Sequence, residues 1–197
     1  MLKSIEASRS QLGDDWRVRY FNSPIWRFVI TNNVLDGSTT TGLMMPSVDK
    51  SGRCYPFTVI CQSDAQVNPF IFARKTDTLH ENGEEFVLSL LEKQRPDLDD
   101  IGEVLAGIYG EFNEPSYKSI SSMSSSSVME IASVTDINLD DFGSCNESVL
   151  ETLLDRQNIN ISIWSMSGVV GANSQKRYFS GMPPVDNYHS FLVGAGN

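Results

Sequence analysis

The chain has two histidines, His80 and His189, and neither sits near a cysteine, a serine in a Gly-x-Ser-x-Gly elbow, or a second histidine at metal-ligand spacing. A Ser-His-Asp group can be assembled from scattered residues, so one hydrolytic arrangement stays open, in which Ser47 or Asp49 works with His80 carried to it by the fold. Phosphate-binding loops are missing. Gly168-Val169-Val170-Gly171 lacks the Lys-Ser/Thr pair that reaches phosphates and metal, and no helix follows Gly194-Ala195-Gly196. Cys54, Cys61 and Cys145 are an odd count without the two-residue spacing of zinc or redox motifs, and they read as free structural thiols. If residues 54 to 61 form one strand, their odd offset puts Cys54 and Cys61 on opposite faces. No cofactor or metal is expected.

The acidic groups have plain readings. Asp97, Asp99 and Asp100 follow Pro96 and precede a helical pattern, where carboxylates complement the positive end of the dipole. Asp136, Asp140 and Asp141 lack the Gly and closing Glu of a calcium loop. The stretch Met45 to Arg53 carries more turn chemistry than a plain hairpin needs. Pro46 stiffens it, Ser47 and Asp49 can bond nearby backbone N–H groups, and Gly52 permits positive φ. Asp49 and Arg53 are spaced to pair across it. These residues hold the turn's shape, and Ser47, Asp49 and Arg53 are the candidates for a protein-binding surface, since loops fixed on a scaffold carry function. Trp164 is the fourth candidate. On a strand face shared with Asn160 and Ser162 it could meet a partner, and otherwise it packs under the helices with its N–H bonded, as Trp26 would.

Positioning these residues falls to a chain of 197 residues, long enough to bury a core as one domain without disulfide or metal staples. Fifteen basic against twenty-five acidic side chains make a net charge of −10, which repels nucleic-acid phosphates and anionic headgroups. No apolar run reaches the ~18 residues of a membrane span, and residues 1 to 15 lack a signal peptide's apolar core, which predicts a cytoplasmic protein.

Leu2, Ile5, Leu12, Trp16 and Tyr20 share a helical face, predicting a helix over residues 2 to 20 that Gly13 could kink. After Pro24, Trp26, Phe28 and Ile30 alternate with Arg27, Val29 and Thr31, the period of a half-buried strand. Gly42 to Met45 and the alternating Tyr55, Phe57, Val59 and Cys61 predict a hairpin around the long turn, with Pro56 at a strand start or on an edge. Asn82 and Glu85 resemble a capping box opening two helices over about residues 83 to 110. A Ser-rich loop covers 116–128, a helix Cys145 to Arg156, a strand Ile159 to Trp164, a turn Gly168 to Ser174, a strand Lys176 to Ser180, and a last helix Asp186 to Val193. This order predicts a three-layer α/β/α sandwich with a mixed, largely antiparallel sheet flanked by helices.

The runs Ser23-Pro24-Ile25-Trp26-Arg27-Phe28, Gly42-Leu43-Met44-Met45-Pro46-Ser47-Val48-Asp49, Gly52-Arg53 and Tyr55-Pro56-Phe57 resemble the TagF (ImpM) family of type VI secretion-associated proteins. Leu12-Gly13, Trp16, Ile163-Trp164, and Gly181-Met182-Pro183 before Tyr188 and Phe191 extend the likeness, while residues 62 to 158 match in layout alone. Members usually open with a strand and a Gly-Lys-Leu-Pro, Gly-Asp-Phe loop, whereas Met1 stands directly at the first helix. That departure implies a shortened form or an absent upstream segment, with an unpaired sheet edge as the consequence. The resemblance implies a cytoplasmic, non-enzymatic regulator that represses a bacterial type VI secretion system after translation. In that family the restraint is linked to a forkhead-associated scaffold protein, apart from a kinase and phosphatase switch. A small hydrolase and a structural accessory subunit of the apparatus are the alternatives.

Overall fold

A computed structural model describes residues 2–31, 34–35, 37–63, 69–92, 98–110, 160–167 and 174–192. The first helical pattern divides where Gly13 takes φ +56°, a conformation that ends a right-handed helix. Helix α1 spans Leu2–Leu12, a 3-10 turn covers Gly13–Asp15, and α2 restarts at Trp16–Phe21. The break lets Trp16 swing back onto α1, donating its indole N–H to Ser8 Oγ at 2.7 Å while its ring stacks on Tyr20 at 4.8 Å. Leu2, expected on the inner face, is exposed at the first residue of α1.

Five strands follow the order β3-β2-β1-β4-β5, and every described pairing is antiparallel. They are β1 (Trp26–Ile30), β2 (Thr39–Met45), β3 (Phe57–Ser63), β4 (Ile161–Met166) and β5 (Gln175–Ser180). The predicted hairpin is β2 with β3, and Pro56 stands just before β3 at the sheet edge. Cys54 and Cys61 do fall into separate core clusters, although Cys54 precedes the strand. Gly42 is required by close approach, since a Cβ there would lie 1.9 Å from the Val59 carbonyl oxygen.

One sheet face presents Trp26, Phe28, Ile30, Met44, Trp164 and Met166 to α1, α2 and the final helix α6 (Tyr188–Leu192), which a 3-10 turn at Val185–Asn187 introduces. The other presents Leu43, Met45, Val59, Ile161 and Ile163 to α3 (Pro69–Lys75), α4 (Asp77–Glu92) and α5 (Leu98–Gly110). These are the three expected layers. Strand β1 is buried at all five positions, so the half-buried strand read from its alternation is corrected to a central one covered on both sides. Helix α3 had no counterpart in the sequence reading, and α4 begins at Asp77. Asn82 and Glu85 therefore lie inside α4 and do not cap it. The Ser-rich loop 116–128, the helix at Cys145 to Arg156, the turn at Gly168 and the acidic groups at 97 and 136–141 lie outside the described residues. Among the described residues no helix is long and apolar enough to cross a membrane.

Trp26 ties the layers together. It is 2% exposed, meets Phe191 edge-on at 4.7 Å and donates its indole N–H to the Phe191 carbonyl at 3.0 Å. Arg177 stacks over both rings, 4.9 Å from Trp26 and 5.0 Å from Phe191. Trp26→Ala is expected to remove roughly 3 to 5 kcal/mol of stability through the cavity and the unpaired carbonyl, measured by denaturant unfolding. A loss below ~1 kcal/mol would mean that α6 does not depend on this anchor.

Candidate functional site

The turn joining β2 to β3 is built around one carboxylate. Asp49 Oδ1 accepts the main-chain N–H groups of Ser51 and Arg53, each at 2.9 Å, and Oδ2 accepts Arg53 Nε at 2.6 Å. Main-chain bonds from Asp49 N–H to the Arg53 carbonyl and from Gly52 N–H to the Asp49 carbonyl, both 2.9 Å, close the loop, with Gly52 at φ +77°. The Arg53 main-chain N–H, aided by its guanidinium and the Ser51 N–H, holds the Asp49 carboxyl below its ordinary range. The pairing expected of Asp49 and Arg53 is present.

Ser47 serves through its backbone. Tyr20 Oη donates to the Ser47 carbonyl at 2.9 Å and accepts the Ser47 N–H at 3.1 Å, which pins the turn to α2. The same carbonyl accepts the Tyr55 N–H at 3.0 Å, and Val48 pairs with Cys54. Arg53 lies exposed over the Tyr55 ring at 5.7 Å. Trp164 is placed elsewhere. It is 5% exposed, packs on Phe28 and Phe191, and donates its N–H to Ser162 Oγ at 3.1 Å. Its ring belongs to the core, so the surface open to a partner does not include it.

Sequence reasoning passed over a second polar constellation. Arg27, on β1, is 7% exposed and faces α4, where Glu84 takes its Nε at 2.8 Å and Nη2 at 3.0 Å, and Asp77 takes Nη1 at 3.3 Å. The Glu84 hydrogen bond raises the Arg27 pKa further. Beside it, Thr41 Oγ1 donates to the Phe28 carbonyl at 2.9 Å, so its contact of 2.9 Å with His80 Nε2 requires that nitrogen to carry the proton. Burial, with the Arg27 charge adding to it, lowers the His80 pKa to about 3. His80 is a neutral structural group. A cleft of about 30 Å³ beside Arg27, lined in part by Asp77, His80 and Ser165, has room for one or two waters. His80 approaches the sheet from the face opposite the helix that holds Ser47, so Ser47, Asp49 and His80 are not brought together. Among the described residues no group of three His, Cys, Asp or Glu side chains could hold a metal ion.

Residues 1–106, which include both constellations, match the family model described as the TagF N-terminal domain, type VI secretion system-associated. The chain belongs to that family. The crystal structure of PA0076 from Pseudomonas aeruginosa PAO1 is similar over 100% of this chain and 82% of its own, with a TM-score of 0.71 at 25% sequence identity. No curated protein sequence matches the chain. The family match spans the Trp26-Arg27-Phe28 strand and the whole Met45 to Arg53 turn, while Trp164 lies beyond it. As a TagF-family member the chain is type VI secretion system-associated, and the turn is an exposed, internally bonded element of the matched region.

Three outcomes check this geometry. Glu84→Gln leaves Asp77 as the remaining carboxylate on a buried guanidinium and is expected to remove about 3 kcal/mol of stability, the low end for breaking a buried pair because Glu84 is partly exposed. His80 has its pKa depressed in the fold, so its contribution is complete above its unfolded value near 6.5 and is lost as the pH falls towards about 3. The stability of His80→Gln should therefore fall less steeply than wild type over that window in pH-dependent unfolding. Equal slopes would show that His80 is not buried neutral. In the turn, Asp49→Ala should speed amide exchange at Ser51 and Arg53 while the core strands stay protected.

Proposed function

We propose that this chain is a non-enzymatic cytoplasmic regulator of a bacterial type VI secretion system, acting after translation as a repressor by binding a forkhead-associated scaffold protein of that system. The observation that carries this reading is the family match over residues 1–106, a region that includes the Met-Pro-Ser-Val-Asp turn. Three features of the molecule support it. The turn is held by its own carboxylate and by Tyr20, which is how a recognition loop is pre-organised. The residues of the hydrolytic alternative, Ser47 or Asp49 with His80, are kept apart by the sheet. The net charge of −10 suits a protein that meets other proteins better than one that meets phosphate backbones or lipid headgroups.

Binding through the turn would use Ser47, Asp49 and Arg53, with Arg53 presenting a planar cation over Tyr55. The purified chain and the forkhead-associated scaffold protein of the same secretion system are expected to form a complex on size-exclusion chromatography. Deletion of the chain should raise secretion. Arg53→Ala should weaken complex formation by roughly tenfold at unchanged melting temperature, because the side chain is exposed and its removal leaves the main-chain bonds of the turn in place. Absence of any complex, together with secretion indifferent to the deletion, would overturn the proposal.

A further inference from the structure

Residues 1–60 carry seven basic and five acidic side chains, whereas the whole chain carries fifteen and twenty-five. The acidic excess lies beyond residue 60. With Arg27 buried against Glu84 and Asp77, the cations left on α2 and the β2–β3 turn are Arg17, Arg19, Lys50 and Arg53 against Asp49, with Asp15 pairing Arg19 at 3.9 Å. Apolar side chains stand on the same surface. Val18 and Phe21 project from the outer side of α2, and Val48 and Tyr55 flank the turn, all four exposed. Phe21 and Tyr55 are tied to each other through Tyr20 and Ser47. The Tyr20 ring meets Phe21 edge-on at 5.5 Å, its hydroxyl is bonded to both main-chain groups of Ser47, and the Ser47 carbonyl accepts the Tyr55 N–H.

The cations are interleaved with the rings. Arg17 lies over Phe21 at 5.6 Å and Arg53 over Tyr55 at 5.7 Å. Among the described residues Arg17 has no carboxylate within ion-pair distance, and Arg53 has Asp49 alone. One exposed apolar side chain needs no explanation, but four on two adjoining elements, with a guanidinium over each of the two aromatic rings, have the make-up of an interface core, where Tyr, Phe and Arg are enriched.

We infer that this patch binds an acidic segment of a partner protein, its carboxylates meeting Arg17 and Arg53 and an apolar side chain seated among Phe21, Val48 and Tyr55. Charge complementarity selects that occupant. An extended polyanion such as nucleic acid or a lipid surface meets the field of the whole −10 chain and is repelled, whereas a short acidic segment meets the local positive field within a Debye length of about 8 Å. The inference rests on the reading of this chain as a binding protein, and not on which protein the partner is.

The test is site-specific photocrosslinking in the native bacterium, with p-benzoylphenylalanine placed in turn at Phe21, Tyr55, Leu88 and Met182. The last two are exposed apolar controls away from the patch. The expected result is covalent adducts from Phe21 and Tyr55, absent from Leu88 and Met182, whose partner peptide is acidic by mass spectrometry. Arg17→Glu should lower the yield from Phe21 by roughly tenfold or more while the melting temperature holds. If that peptide belongs to a protein other than a forkhead-associated scaffold, the patch stands and the proposed partner falls. If the scaffold crosslinks from Leu88 or Met182 instead, the proposed function stands and the patch falls. No adduct from Phe21 and Tyr55, a non-acidic peptide, a lipid or nucleic-acid adduct, a second copy of this chain, or a yield unmoved by Arg17→Glu each overturns the inference.

Discussion

Strand β1 has a strand on either side and helices over both faces, and this double coverage dictates much of the rest. Trp26, Phe28 and Ile30 go to one apolar cluster and Val29 lies on the opposite face, yet the same coverage buries Arg27. A guanidinium there without carboxylates would destabilise the fold by several kcal/mol, so the helix laid over that face must supply them. Helix α4 does so with a stripe at Asp77, His80 and Glu84, offsets of three and four that place all three on one side. Two of them meet Arg27, and His80 meets Thr41 on β2. The stripe sets the rotation of α4, after which Gly83 and Val87 necessarily face Leu43 and Tyr109. A Cβ at Gly83 would lie 2.8 Å from Tyr109 Oη and 2.9 Å from Leu43 Cδ1.

The reach and the failures of the sequence reading have the same origin. Alternation located β1, β3 and β4, because a period of two survives whatever covers the strand, while β2 was read from a short apolar run and β5 from its place after a turn. Alternation also marks the polar face as the wet one. It therefore misread Arg27, since only the sheet order, with β4 joining β1 across some 130 residues of sequence, shows that both faces are covered. Asn82 and Glu85 mimicked a helix start because α4 is polar through its first turns, and that polarity reflects the contact with Arg27 and Thr41 as well as solvent. Gly13 was legible as a break since a positive φ is a local property. Trp164 could be read either way from its strand, and its burial is decided by Phe28 and Phe191, which are distant in sequence.

The turn divides in the same way. Its internal bonds run between residues two to four positions apart, so Asp49, Gly52 and Arg53 announced them by type and spacing. Ser47 was read as a side-chain donor or acceptor, the ordinary role of Ser in a turn. The structure uses its peptide groups instead, through a tyrosine 27 residues earlier that sequence reading assigned simply to a helix face. The family likeness carries both parts without separating them, because Trp16, Tyr20 and the Met-Pro-Ser-Val-Asp run all fall in the matched region.

That tyrosine decides how firmly the exposed surface is held. Its hydroxyl both donates to and accepts from Ser47, its ring stacks on the buried Trp16, and burial raises its pKa, so it stays a neutral phenol at neutral pH. For the turn to move away from α2, both part-buried hydrogen bonds to Tyr20 must break, which leaves the Ser47 N–H without its partner while its carbonyl keeps the Tyr55 N–H, at a cost of about 1 to 3 kcal/mol where water cannot reach the N–H. The turn thus shares the stability of the α1–α2 packing, although Arg53 and Tyr55 at its end are exposed. A surface fixed this way loses little conformational entropy when a partner arrives, which leaves more of the contact energy available as affinity. The same coupling lets one element serve the fold and the proposed recognition together. Asp49 shapes the loop from within with the help of Arg53, Tyr20 fastens it to the core, and the Arg53 guanidinium still faces water over Tyr55.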